Sequence, residues 1–351
     1  MAVRVWKRRN EQSAPPAWAL GDEEYEVLCA ARLANVVPVR EPLVLVSQLH
    51  RSGGTLLSQL LDGHPECHAH PHELRIGKVP NSRHWPRIDL DRPETWFETL
   101  YEKYAGKHFR GGYSKVGGKS APAANRDVFP FLFLPGLQRR LFDQCVARTR
   151  VERERDVLDC YFTSYFNAWL DNHNLYSTPK RAVTAFAPEM NLRRKSREAL
   201  FAAYPDGALI SIVREPRAWF ASARAQGGRD RHVEVGMERW RRSAEVTLEA
   251  IELYGDRMVA ITYEELVLDT ETTMTRLAAR IGISMSPCLL EPTFNGRPIR
   301  ANSSYAVERH GVLTDRVGAY REQLDDATLA QVDELAGDVY ERIREASVAR
   351  S

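Results

Sequence analysis

The stretch LVLVSQLHRSGGTLLSQLLDGHP, Leu43–Pro65, leaves this chain few folds to choose from. Residues 43–47 are apolar or small and run without alternation, the pattern of a strand buried on both faces. His50-Arg51-Ser52-Gly53-Gly54-Thr55 follows as a tight polar turn, and Leu56, Leu57, Leu60 and Leu61 then recur on one helical face. Strand, glycine turn and helix in that order form a phosphate-holding unit. The glycines let the backbone approach a ligand closely, and the helix start aims free N–H groups and the positive end of its dipole at the turn. Ser52 and Thr55 add hydroxyls, and Arg51 adds a charge that forks onto two oxygens. The Gly-Lys-Ser/Thr ending that holds a nucleoside triphosphate and its magnesium is missing, which disfavours ATP. The competing reading is a capped helix after a glycine turn, with Arg51 in solvent.

The remainder alternates strand and helix. Residues 182–186, 208–213 and 258–263 read as strands. The spacing of Met237, Trp240, Ala244, Leu248 and Ile251 predicts a long helix, and further helices are expected around 196–205, 274–281 and 329–339. An earlier helix is expected over 22–36, capped by Asp22. Such alternation implies an α/β domain with a parallel sheet covered by helices on both faces. Residues 66–175 are broken by turns, with helices expected over 93–104, 137–149 and 154–170. This stretch reads as an insertion above the sheet, suited to acceptor selection. The expected organisation is an N-terminal arm and helix, 1–40, then a single domain, 41–351.

The 351 residues carry a net charge of only +2, so bulk electrostatics do not make the chain a polyanion binder. Lysine is scarce, 8 against 41 arginines, so each lysine merits separate inspection. Cys29, Cys67, Cys145, Cys160 and Cys288 are scattered without a Cys-x-x-Cys pair and read as reduced thiols. No apolar run has membrane-span length, and the N-terminus lacks the apolar core of a signal peptide, so a cytoplasmic location is expected.

A second anion motif lies in ISIVREPRAWFASAR, 211–224. Arg214 stands at a strand tip and Ser222 eight residues on, about two turns into a helix opened by Pro216. Two anion sites at two strand tips suit a nucleotide phosphorylated at both ends of its ribose.

With both motifs in order, the chain resembles the sulfotransferases. RSGGTLLSQLLDGHP looks like their 5′-phosphosulfate loop, and VREPRAWFASAR looks like their 3′-phosphate motif. ITYEELVLDTETTMTRLAARIGI (261–283), FNGRPIRANSSY (294–305) and GAYREQLDDATLAQVDELAGDVY (318–340) are similar to later family segments. The resemblance implies a three-layer P-loop NTPase-like fold with a central parallel sheet. It also implies 3′-phosphoadenosine 5′-phosphosulfate (PAPS) as sulfate donor and adenosine 3′,5′-bisphosphate (PAP) as product. Arg51, Ser52, Gly53, Gly54, Thr55 and Leu56 would hold the 5′ side, and Arg214 and Ser222 the 3′-phosphate. Arg297, Arg300, Asn302 and Ser303 would close over the same phosphate. Gly54 stands where the family usually has Thr, one hydroxyl fewer.

Sulfuryl transfer needs charge stabilisation more than covalent help, and no metal is required in principle. Arg51 is the first candidate to stabilise the leaving phosphate and Lys180 the second, with Lys115 and Lys119 behind them. For a base, HPECHAHPHELR (64–75) offers His72 or Glu73, then His70. The competing readings are hydrogen bonding within a loop, or a metal held by His68, His70 and His72, which would share a face on a strand. Pro71 argues against that strand. The basic runs RTRVERERD (148–156) and NLRRKSRE (191–198) read as solvated helix faces or as attractors of an acidic acceptor.

The expected activity is sulfuryl transfer to a hydroxyl, first of a carbohydrate or glycolipid, with a small natural product or tyrosyl group also open. A P-loop kinase and a non-catalytic PAP-binding module are the alternatives. No nucleic-acid motif appears, and a homodimer through the N-terminal arm stays open.

Overall fold

The computed structural model describes residues 21–77, 84–103, 105–106, 131–177, 179–299 and 309–349. The arm 1–20, Lys115, Lys119, Arg300, Asn302 and Ser303 lie outside the described residues. The chain forms two compact units, Met1–Val36 and Val37–Ser351. In the first, α1 spans Asp22–Ala34, with Gly21 rather than Asp22 at the N-cap; the Gly21 amide donates to Glu24.

The second unit is built on five parallel strands. They are β1 Leu43–Val46, β2 Cys67–Glu73, β3 Ala182–Phe186, β4 Ala208–Val213 and β5 Met258–Thr262, in the order β2-β3-β1-β4-β5. Because β1, β3, β4 and β5 are buried on both faces, their sequences are apolar runs and not alternating ones. The period of two survives in the packing. Val44, Val46, Ile210, Ile212, Val259 and Ile261 face one layer, made by α2 (Gly54–Leu61), α9 (Tyr263–Leu268) and α10 (Thr270–Ile281). The opposite layer holds α6 (Arg194–Ala203), α7 (Pro216–Gln226), α8 (Val233–Tyr254) and α11 (Asp326–Glu345), around Trp219, Trp240 and Val339. The result is the three-layer P-loop-like architecture. Neighbouring strands β1 and β4 send their following helices to opposite faces, which opens a crevice at their C-terminal tips.

Between β2 and β3 lie α3 (Trp96–Leu100), α4 (Pro135–Arg148) and α5 (Glu154–Ala168). Four sequence expectations change here. The insertion cannot begin at 66, because Cys67–Glu73 is an edge strand of the sheet; Pro71 is absorbed by a register shift between Ala69 and Glu73. The helix expected over 93–104 stops after Leu100, where Tyr101 turns to ψ 125° and Glu102 is buried instead of continuing the helix. Tyr104 lies outside the described residues. Cys145 and Cys160 are not reduced thiols but a disulfide, their Cα atoms 5.5 Å apart where α4 and α5 pack together. No helix among the described residues is long and apolar enough to cross a membrane.

Candidate active site

The loop after β1 is shaped by backbone geometry first. Arg51 sits at φ 68°, a left-handed conformation that costs a non-glycine residue about 1–2 kcal/mol. Gly53, the N-cap of α2, has φ 98°, and a Cβ there would collide with the Tyr263 ring. The first helical bond runs from the Leu57 amide to the Gly53 carbonyl at 3.1 Å. The amides of Gly54, Thr55 and Leu56 therefore precede the hydrogen-bond ladder of α2. Gly54 is explained by its neighbour: the buried Gln48 amide fills the space that a side chain at 54 would take.

The two strand-tip motifs meet. Arg51 donates from Nε and Nη2 to Ser222 Oγ, both at 3.0 Å. Ser222 lies inside α7, whose N-cap Glu215 accepts from the Ala218 amide at 2.8 Å. Arg214 donates from Nη1 to the Arg51 carbonyl at 3.3 Å and lies 4.8 Å over the Tyr263 ring. Its Nε is buried without a hydrogen-bond partner. Two tryptophans pin this corner: Trp240 Nε1 donates to the Arg214 carbonyl at 2.9 Å, and Trp219 Nε1 to the His50 carbonyl at 2.7 Å. Behind the loop, Glu189 and Asp230 each accept from Arg239 at 2.8 Å and each contact a His50 ring nitrogen, at 2.9 and 3.2 Å. Burial pushes the Glu264 carboxyl up to about 7, opposed by the charge of Arg214. Glu264 accepts from the Glu215 amide at 3.1 Å and from Tyr340 Oη at 3.0 Å.

The histidine strand forms a different cluster. His68, His70 and His72 all face α5: His68 packs 5.1 Å from Phe166, His70 stacks 4.7 Å from Tyr165, and His72 Nε2 meets Tyr165 Oη at 2.9 Å. His70 Nδ1 donates to the His72 carbonyl at 2.8 Å, and its Nε2 lies 2.9 Å from Glu102 Oε1. Glu102 also accepts from Tyr161 Oη at 2.8 Å and from the Arg75 amide at 2.7 Å. Burial pushes the Glu102 carboxyl up, but the His70 charge and these donors outweigh it and hold the carboxyl at about 2. His70, His72 and Glu102 bring ligand-type atoms within 4.8 Å of one another. The Nδ1 atoms of both imidazoles, however, face the carbonyls of His72 and Glu73, so these groups are engaged in hydrogen bonds. Glu73 closes the strand, level with Phe186 of β3 and thus with Val46 of β1. Its half-buried carboxylate pairs with Arg75.

Two expected residues are placed elsewhere. Lys180 precedes β3, at the N-terminal edge of the sheet, opposite to Arg51. Its Nζ donates to the Pro65 carbonyl, Asn174 Oδ1 and Ser177 Oγ at 2.7, 2.8 and 2.7 Å, which uses all three of its protons. Burial pushes its ammonium down to about 8. Arg297 is exposed on the hairpin Thr293–Phe294/Arg297–Pro298, which Asp62 anchors at the far end of α2 through Thr293 Oγ1 and the Gly296 amide, at 2.7 and 2.9 Å. Sequence reasoning missed Glu102, Gln48 and the role of Tyr263. The one available signal was Tyr263-Glu264, which follows a strand as Arg214-Glu215 does.

No curated protein matches the sequence. Among solved structures, the sulfotransferase domain of the Synechococcus PCC 7002 olefin synthase is 17% identical, with 85% of this chain and 95% of that one covered and a TM-score of 0.45. A sulfotransferase from Mycobacterium avium is 18% identical, covering 76% of this chain and 69% of its own, with a TM-score of 0.36. One from Alicyclobacillus acidocaldarius is 15% identical, covering 87% and 100%, with a TM-score of 0.37. A model of the sulfotransferase family matches residues 42–287, a span well over half of the chain that takes in both strand-tip motifs, and the chain belongs to that family.

Proposed function

We propose that the protein transfers a sulfuryl group from PAPS to a hydroxyl acceptor. The observation that carries this reading is the meeting of Arg51, Ser222 and Arg214 at the β1/β4 crevice, with Arg214 Nε buried and unpartnered. An orphaned guanidinium N–H at that place suits an anion, and the residues present fit a nucleotide with phosphate at both ends of its ribose. The amides of residues 54–56 and Arg51 would hold the 5′ side, and Arg214 and Ser222 the 3′-phosphate. When bound, the donor supplies an activated sulfuryl group on a phosphate leaving group.

The chain's own part is charge and proton handling. As the acceptor oxygen bonds to sulfur, the bridging S–O bond breaks and its electrons go to the phosphate, where Arg51 stabilises the growing charge. Glu73 takes the acceptor's proton. It is the base candidate that is only half buried, and it sits two strands from β1, roughly 10 Å away at ordinary strand spacing. His70 and His72 shape the strand beneath it. A carbohydrate or glycolipid hydroxyl is the leading acceptor, with a small natural product or tyrosyl group next.

Calorimetric titration with PAP, AMP and Mg-ATP tests the donor. Selective binding of PAP, lost in Arg214→Ala, is expected. Preference for Mg-ATP would replace this reading by a kinase. PAP binding without turnover of PAPS across an acceptor panel would reduce the protein to a binding module.

A further inference from the structure

On the face that carries α6 and α8, a cavity of about 700 Å³ is bounded by the start of α6, the middle of α8 and residues 84–87. None of residues 51–56 lines it. Its walls carry Arg87, Arg193, Arg194, Lys195, Arg197 and Arg242 against two carboxylates, Glu154 and Glu249. Arg194 is bonded to Glu198 at 2.8 Å. Arg87, Arg193, Lys195 and Arg242 make no ion pair among the described residues. The first turn of α6 has no acidic residue and no side-chain cap, so these cations gather at the positive end of a helix dipole. Such a gathering is unfavourable in the chain by itself.

The second observation comes from beneath the rim. Arg197 and Trp85, which both line the cavity, are only 2% and 4% exposed. Arg197 Nε and Trp85 Nε1 are both buried without a hydrogen-bond partner. Arg197 Nη1 donates to the Asn191 carbonyl, and its Nη2 comes no closer to Glu249 than 4.0 Å. Each orphaned buried N–H has given up its water without a replacement partner, which is unfavourable until an acceptor arrives. The site is also built: the Trp85 amide donates to Ser196 Oγ at 3.1 Å, tying 84–87 to the first turn of α6. Burial and the charges of Arg193 and Arg87 push the His84 imidazole down, as an excess of positive charge would.

We propose that this cavity is a second anion-binding site, for a small ligand bearing several sulfate or phosphate esters. Guanidinium groups fork onto tetrahedral oxyanions, and the volume suits a small molecule better than a lone ion. The site goes beyond the donor reading and does not depend on it.

The test titrates the full chain with sucrose octasulfate, inositol hexakisphosphate and inorganic sulfate in turn, with PAP saturating and the heat of binding followed. Tight one-to-one binding of the octasulfate points to sulfate esters, and tighter binding of the hexakisphosphate to phosphate esters. Either is expected to weaken at least about tenfold in Arg193→Glu/Lys195→Glu, whose side chains are exposed and separate from the fold's core, and to weaken further with added salt. PAP affinity stays within about twofold in that variant. The proposal is overturned if both polyanions fail to bind, if only inorganic sulfate binds, or if the double variant binds them as well as wild type. A chain that takes a polyanion here yet refuses PAP would break the donor reading and leave this one standing.

Discussion

Arg51, Ser222 and Arg214 at the tips of β1 and β4, and His70, His72 and Glu102 beside the tip of β2, are dense polar clusters at one edge of one sheet. They are finished differently. At His70, His72 and Glu102 each ring nitrogen and both carboxylate oxygens meet a partner, so burial is compensated within the chain, while His68 Nε2 on the same strand is buried without a hydrogen bond. In the arginine cluster a guanidinium N–H is left over, and a loop residue is held at positive φ. Spare donors and strain on one side, closed bonds on the other, fit the proposed division, in which the first cluster would receive a ligand and the second would support it.

The comparison breaks first at Glu73, the residue where the supporting strand reaches solvent. Glu73→Gln is expected to lower turnover by about 10²- to 10⁴-fold while PAP affinity holds, measured by steady-state kinetics beside calorimetry. Retention of turnover within tenfold would remove the β2 corner from the chemistry. Glu102→Gln should cost stability rather than binding, about 3 kcal/mol by urea unfolding, because it strips a buried partner from His70. The Glu102 carboxyl is held low, at about 2 against 4.5 unfolded, so its contribution is present above pH 4.5 and fades as pH falls toward 2. The gap between wild type and variant should therefore close in acid; a gap independent of pH would refute the ion pair. Arg214→Ala is expected to weaken PAP roughly a hundredfold with little change in unfolding midpoint, the mirror image of Glu102→Gln.

The last expected effect, a change of stability with pH alone, lies at Glu264. Its carboxyl is raised to about 7, so the proton it keeps stabilises the fold fully below pH 4.5, and that stability is lost as pH rises through 7. Glu264→Gln should gain on wild type over that interval by something on the order of 3 kcal/mol. Unfolding curves at pH 4.5, 6 and 8 would show whether the difference grows with pH; a constant difference would mean Glu264 is not the titrating group.

Much of the frame was legible. Strands β1, β3, β4 and β5 and the long helices appear where apolar runs and 3.6-residue spacing placed them, because burial on two faces or one leaves a local mark. The backbone arrangement of the two strand-tip motifs was legible for a similar reason, since a glycine turn before a helix and an Arg ahead of a Pro-opened helix are local arrangements. The histidines were misread because alternation across Pro71 looks like a loop, while a register shift against β3 makes it a strand. The Cys145–Cys160 pair was missed because nothing in a spacing of 15 announces two packed helices.

Local sequence determined that Gly53 takes a left-handed N-cap, that α2 begins there, and that Arg51 and Arg214 each stand just past a buried strand. Tertiary structure alone decided that β1 and β4 are neighbours, so that Arg51 reaches Ser222 across 171 positions. It also decided that Lys180 falls at the opposite edge with its three protons already donated, and that Glu102 takes up His70 across 32. Periodicity records which face of an element is buried. Whether a charged group is spent or spare depends on every neighbour that strand order and packing bring against it, and those neighbours come from all along the chain.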